Sequence, residues 1–127
     1  KRLVGDFSPV RGRADQGALF ENWVFSELSK TMISPDELHY WRTRAGAEVD
    51  FVLHQVGSPP VAIEVKVSPR PGKLSRGARS FIEAYQPEVF LTVSADVEAK
   101  AEIGGVRCRW IRADQLRGHI PRRFQEV

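Results

Sequence analysis

Between Gly17 and Lys30 the apolar residues Leu19, Phe20, Trp23, Val24 and Leu28 recur at the three- and four-residue intervals that stack side chains on one helical face. The pattern predicts a first helix, with Asp15 as its N-cap. Ser34-Pro35-Asp36 then interrupts it, because proline lacks an amide donor and aspartate favours turns. Leu38 to Arg42 and the β-branched stretch Val49 to Val56, joined through Arg44-Ala45-Gly46, read as a hairpin.

The clearest strand is Val61 to Val67, where apolar and other residues alternate. Val61, Ile63, Val65 and Val67 fall on one face, and Ala62, Glu64 and Lys66 on the other. A second helical stripe follows a Pro/Gly-rich loop and comprises Leu74, Ala78, Phe81, Ile82 and Tyr85, with Pro87 just beyond. Glu88 to Val93 and Val106 to Ile111 read as further strands, with a turn at Gly104-Gly105. The order is α-β-β-β-α-β, continued by another strand. Interleaving of this kind predicts an α/β fold with a mixed central sheet flanked by helices.

The 127 residues are 42% hydrophobic, enough for one folded core and too many for a disordered chain. No apolar run approaches the roughly 20 residues of a membrane helix. The single Cys108 excludes an internal disulfide and a thiolate-rich metal site, and a cytoplasmic location is expected. The chain opens at Lys1 rather than Met, so it is expected to be a piece of a longer polypeptide, with residues 1–16 an extension from a missing upstream region and 17–127 the domain.

The net charge of +3 is unevenly spread: residues 21–66 hold four basic and seven acidic side chains, residues 67–127 eleven and seven. An acidic centre beside a basic surface suits a cation site next to a polyanion-binding surface. Within that centre Asp50 lies on the second strand, and Glu64 and Lys66 on one face of the third. If those strands are neighbours, the two carboxylates converge, and a hard divalent cation is the usual relief for their repulsion. Lys66 is placed to touch what such a cation binds. Two carboxylates and an ammonium are suited to phosphodiester hydrolysis. The competing reading of the same residues is a cross-strand ion pair on a polar sheet face.

On the first helix, at ~100° per residue, Glu21 falls at about 200° from Leu19, at the border of the apolar arc. Glu27, at about 80°, is the competing acid. Glu48 reads as a rim residue on the face of Asp50.

Gly17-Ala18-Leu19-Phe20-Glu21-Asn22, Tyr40-Trp41-Arg42, Gly46-Ala47-Glu48-Val49-Asp50-Phe51 and Ile63-Glu64-Val65-Lys66 together resemble the C-terminal domain of unknown function of bacterial and archaeal AAA-type ATPases. That domain in turn resembles the PD-(D/E)XK nuclease superfamily, and the likeness covers residues 17–94. It implies a restriction-endonuclease-like α-β-β-β-α-β core. It further implies Asp50 and Glu64 as ligands of magnesium or manganese, Lys66 as the catalytic lysine and Glu21 as the first-helix acid. Val49 stands where the superfamily motif has proline.

The partners implied are nucleic acid and an ATPase module upstream in cis. The chain itself has no phosphate-binding P-loop, since Val67 stands where the Gly before Gly72-Lys73 would be required. Arg42, Arg44, Arg70, Lys73, Arg76 and Arg79 are the candidate phosphate contacts. Trp23, Trp41 and Trp110 read as core, and His39, His54 and His119 carry no ligand spacing. Three functions follow: a magnesium-dependent nuclease, a catalytically silent module that grips nucleic acid or protein, and an oligomerisation domain.

Overall fold

The computed structural model describes residues 6–9, 19–32 and 34–125. Its elements run β1 (Asp6–Pro9), α1 (Leu19–Thr31), β2 (Leu38–Arg42), β3 (Glu48–Leu53), β4 (Val61–Val65), α2 (Arg76–Tyr85), β5 (Val89–Ser94), β6 (Ala99–Ile103), β7 (Val106–Arg112) and α3 (Leu116–His119), with short 3-10 turns at Pro35–Glu37, Ala113–Gln115 and Arg122–Phe124. The strands form one seven-stranded sheet in the order β1-β2-β3-β4-β5-β7-β6. Its centre, β4-β5-β7, is parallel, and the other neighbours pair antiparallel. The mixed α/β sheet and the order α-β-β-β-α-β from α1 to β5 match the expectation.

Each face of the sheet buries its own apolar layer. On one face Phe51, Leu53, Ile63, Leu91 and Val93 pack with Val24 and Leu28 of α1 and with Leu116, Ile120 and Phe124. On the other, Trp41, Val52, Ala62, Phe90 and Trp110 pack with Ala78, Phe81, Ile82 and Tyr85 of α2. Burial of both faces explains why β5 is apolar throughout, whereas a one-sided sheet would alternate.

The whole predicted stripe of α2 is buried. Ser75 caps its start, accepting a bond from the Ala78 amide at 3.1 Å. Gln86 closes it at φ 48°, one residue before Pro87. Gly77 is required there, because a Cβ would lie 2.0 Å from the Glu48 carbonyl oxygen.

Several expectations change. α1 turns Phe20, Val24, Leu28 and Thr31 toward the sheet, leaving Leu19 83% and Trp23 44% exposed. Two overlapping stripes compete on this helix, and the sheet takes the one a step later. The strand predicted to reach Val56 stops at Leu53, where a turn leads to Gly57 at φ 87°. β4 stops at Val65, and Val67 is 81% exposed rather than core-facing. The expected N-cap Asp15 lies outside the described residues.

Candidate active site

β3 carries a local irregularity where its chemistry begins. His39 pairs with Val52 but Trp41 with Val49, so three steps along β3 answer two along β2. The extra residue falls at Asp50–Phe51, and such a bulge re-aims the side chain it carries. It also interrupts the simple alternation that would set Glu48 and Asp50 on one face. On the other side, the β3–β4 register runs Leu53↔Val61, Val52↔Ala62, Phe51↔Ile63 and ends there. The next β4 amide facing β3, that of Val65, donates instead to Asp50 Oδ2 at 2.8 Å. A carboxylate thus replaces a ladder carbonyl where the strands cease to pair, and an otherwise orphaned amide is satisfied.

Asp50 and Glu64 occupy successive positions of the two strands beyond the last pair, as the adjacency argument expected. Glu64 is 6% exposed. Its Oε1 accepts the Ser75 hydroxyl at 2.7 Å and lies 3.9 Å from Lys66 Nζ, whose side chain is 46% exposed. Burial pushes the Glu64 carboxyl above its ordinary value and Glu48 adds to the effect, while the Ser75 bond and the Lys66 ammonium oppose it. Desolvation prevails.

Glu64 and Lys66 open onto a cleft of about 260 Å³ lined also by Arg70, Lys73, Ser75 and Thr92, with Ser68, Pro69, Leu74 and Trp110 completing it; Asp50, which accepts the Val65 amide, lies outside that lining. Thr92 and Trp110 reach this place by register: Glu64 pairs with Thr92, and Thr92 with Trp110. The cleft therefore sits at the carboxyl end of the parallel strands on the α2 face, where open α/β sheets commonly hold ligands.

The other predicted residues distribute themselves around it. Glu21 lies in the first turn of α1, whose buried side chains pack on the opposite face, and it does not line the cleft. Glu27 is 3.6 Å from Lys30. Arg70 and Lys73 line the cleft, and Arg76 donates to the Ala45 carbonyl at 2.9 Å, tying α2 to the β2–β3 turn. Arg42, Arg44 and Arg79 are exposed and stand outside the lining. Among the described residues, no group of three or more His, Cys, Asp and Glu side chains comes together as a metal cage. Trp41 and Trp110 are core residues as expected, Trp41 donating to the Tyr85 hydroxyl at 3.2 Å. Trp23 is not.

Ser75, Thr92 and Trp110 were not singled out as site residues in the sequence. Ser75 was legible as a cap, a serine directly ahead of a helical stripe. Thr92 and Trp110 carry no local signal, since only the sheet register brings them beside Glu64.

Fold and cleft together define an α/β domain with a buried acid and several cations at one end of its sheet. The chain belongs to the DUF4143 family, a domain of unknown function, which it matches over residues 16–107. It is also similar to uncharacterized proteins of Mycobacterium tuberculosis and Mycobacterium bovis, each 32% identical over 87 residues. That match takes in 67% of this chain but spans only 19% of each relative's length. Among the described residues, no helix is long and apolar enough to cross a membrane.

Proposed function

We propose that the chain is a PD-(D/E)XK nuclease-like domain with a restriction-endonuclease-like core, hydrolysing phosphodiester bonds of nucleic acid in a metal-dependent reaction and serving an AAA-type ATPase module in cis. The observation that carries the reading is Glu64: a buried carboxylate beside Asp50 on the next strand, 3.9 Å from the Lys66 ammonium, in a cleft rimmed by Arg70 and Lys73. The element order from α1 to β5 supports the core. The small share of its relatives that the chain spans leaves room for an ATPase module.

The donor set suits magnesium or manganese. Glu64 is desolvated beyond what Ser75 and Lys66 offset, and a hard dication beside it would relieve that penalty. Asp50 and Glu64 would hold the ion, with water filling much of its shell. When bound, the ion supplies a water of lowered pKa and polarises a phosphoryl oxygen. The chain's own groups do the rest. Arg70 and Lys73 draw the phosphate backbone to the cleft, and Lys66 neutralises charge that develops on the phosphoryl oxygens, whereas Glu21, on the α1 face, takes no part in this cleft.

Among the described residues no third acid joins Asp50 and Glu64 in a group that could hold a metal, which favours a second reading, a silent module that grips nucleic acid or protein for the ATPase. Incubation with labelled single- and double-stranded DNA and RNA, in magnesium, manganese or chelator, separates the two. Cleavage that follows the metal and falls at least about 100-fold in Asp50→Ala and Lys66→Ala is expected of a nuclease. Binding without cleavage in every condition would establish the silent module.

A further inference from the structure

We infer that Ser75 is a positioning residue for the metal-binding carboxylate, linking the start of α2 to the orientation of Glu64; the inference rests on the nuclease reading above. A serine hydroxyl has one proton to donate and lone pairs to accept. At Ser75 both capacities are committed in definite directions. The Ala78 amide donates into Oγ at 3.1 Å, so the hydroxyl proton is directed elsewhere, and it goes to Glu64 Oε1 at 2.7 Å. The hydroxyl is therefore pinned at one end by a helix cap and at the other by the carboxylate.

Three features make this more than a cap. Glu64 Oε1 takes both the Ser75 bond and the Lys66 contact, so Oε2 is the oxygen left to meet a ligand. α2 cannot drift from the sheet, because Gly77 brings it against the Glu48 carbonyl and Arg76 fastens it to the Ala45 carbonyl. Ser75 itself lines the cleft. The carboxylate is thus oriented by a rigid element rather than by a loop, the arrangement in which outer partners typically alter metal affinity 10- to 100-fold.

The test separates the cap from the positioning. Glycine is nearly as good an N-cap as serine but has no hydroxyl, so Ser75→Gly should keep the helix start and fold, with a modestly lowered Tm from the lost bond to the buried Glu64. Ser75→Thr restores the hydroxyl. The full chain is titrated with Mn2+ by calorimetry, without nucleic acid, and its Tm is measured alongside. The expected result is an Mn2+ Kd raised about tenfold in Ser75→Gly and returned to within about threefold of wild type in Ser75→Thr. Wild-type Mn2+ binding with an unchanged Kd in Ser75→Gly would overturn the assignment of Ser75 alone. No Mn2+ binding by the wild type would overturn the metal reading and this inference together. A Ser75→Gly loss that Ser75→Thr fails to restore would also overturn it, since the hydroxyl would not be the operative group.

Discussion

The two ends of strands β3 and β4 are built on opposite principles. At the far end, beyond Leu53 and before Val61, polar groups are tied to one another. The His54 amide donates to the Glu37 carbonyl at 2.9 Å, Gln55 Nε2 donates to Glu37 at 2.8 Å and to the Arg123 carbonyl at 3.0 Å, and Arg123 pairs with Glu88 at 2.7 Å. The late 3-10 turn Arg122–Phe124 thereby seals the α1 side of that end, with Phe124 fully buried, although a cleft of about 320 Å³ opens beside it at His54 and Gly57 to Pro60 and Glu37 Oε1 is buried there without a hydrogen-bond partner. At the near end, the ladder stops at Phe51↔Ile63 and the groups beyond it face a cleft. There a carboxylate is left desolvated with exposed cations around it. Burial disfavours the charged form at both ends, pushing the Glu64 carboxyl up and, with the nearby His39, pushing His54 down, so the difference lies in what surrounds each group. One end is organised to hold the sheet together, and the other keeps an unfavourable charge that a ligand would relieve.

The most severe way to break the contrast is to push α2 off the open end. In Gly77→Ala the new Cβ would meet the Glu48 carbonyl oxygen at 2.0 Å, and backbone cannot yield as a flexible side chain does. Alanine's helix preference returns about 1 kcal/mol, but overpacking of this kind costs about 3 kcal/mol. A net loss of about 2 kcal/mol in urea unfolding is expected, together with weakened Mn2+ binding, because Ser75 moves with the helix. Unchanged stability would show that α2 is not seated tightly on β3.

At the sealed end Arg123→Ala removes the Glu88 pair, the 3.2 Å bond to the Pro59 carbonyl and the guanidinium that lies 4.7 Å above the Phe124 ring. The pair is about a third exposed, so its electrostatic part is discounted for solvent screening. Arg123 Nε is also buried with no partner, and its removal returns some of the loss. A cost of about 1 kcal/mol is expected from the lost bonds and packing, with Mn2+ affinity unmoved. A changed Mn2+ midpoint would show that the two ends are coupled through the sheet.

Legibility in the sequence follows the same division. The β4 core and the α2 stripe were readable because each combines one period with one destination: Val61 and Ile63 face α1, and Ala78, Phe81 and Tyr85 face the sheet. α1 was readable as a helix but not in its rotation, since Leu19 and Trp23 offer a second stripe that competes with Val24 and Leu28. β6 escaped because Ala-Lys-Ala-Glu is poor in strand formers, and it is carried by its pairing with β7. β1 likewise owes its place to pairing with the β2 edge. Glu64 and Lys66 of the cleft, and Asp50 on the adjacent strand, were visible from strand adjacency, while the bulge at Asp50 was hidden. Glu48-Val49-Asp50-Phe51 alternates in text, and only the mismatch with β2 reveals the extra residue.

A stability effect of similar size but opposite sign sharpens the comparison most, because it asks whether Glu64 is a structural or a functional carboxylate. Its pKa is raised in the fold, so the folded protein holds that proton more tightly than the unfolded chain does. Its contribution to stability is therefore fullest below the ordinary 4.5 and is lost as pH rises through the folded pKa. At neutral pH the charged form is a liability in the metal-free protein. Glu64→Gln keeps an oxygen to accept the Ser75 hydroxyl and removes the buried charge. Metal-free Glu64→Gln should therefore be about 1 kcal/mol more stable than wild type at pH 7, converging with it toward pH 4, while losing Mn2+ binding. A stabilised variant without metal affinity is the signature of a residue retained for function at the expense of the fold. Destabilisation at pH 7 would mean that Lys66 and Ser75 already hold Glu64 as a structural ion pair, and the open end would then differ from the sealed one in geometry alone.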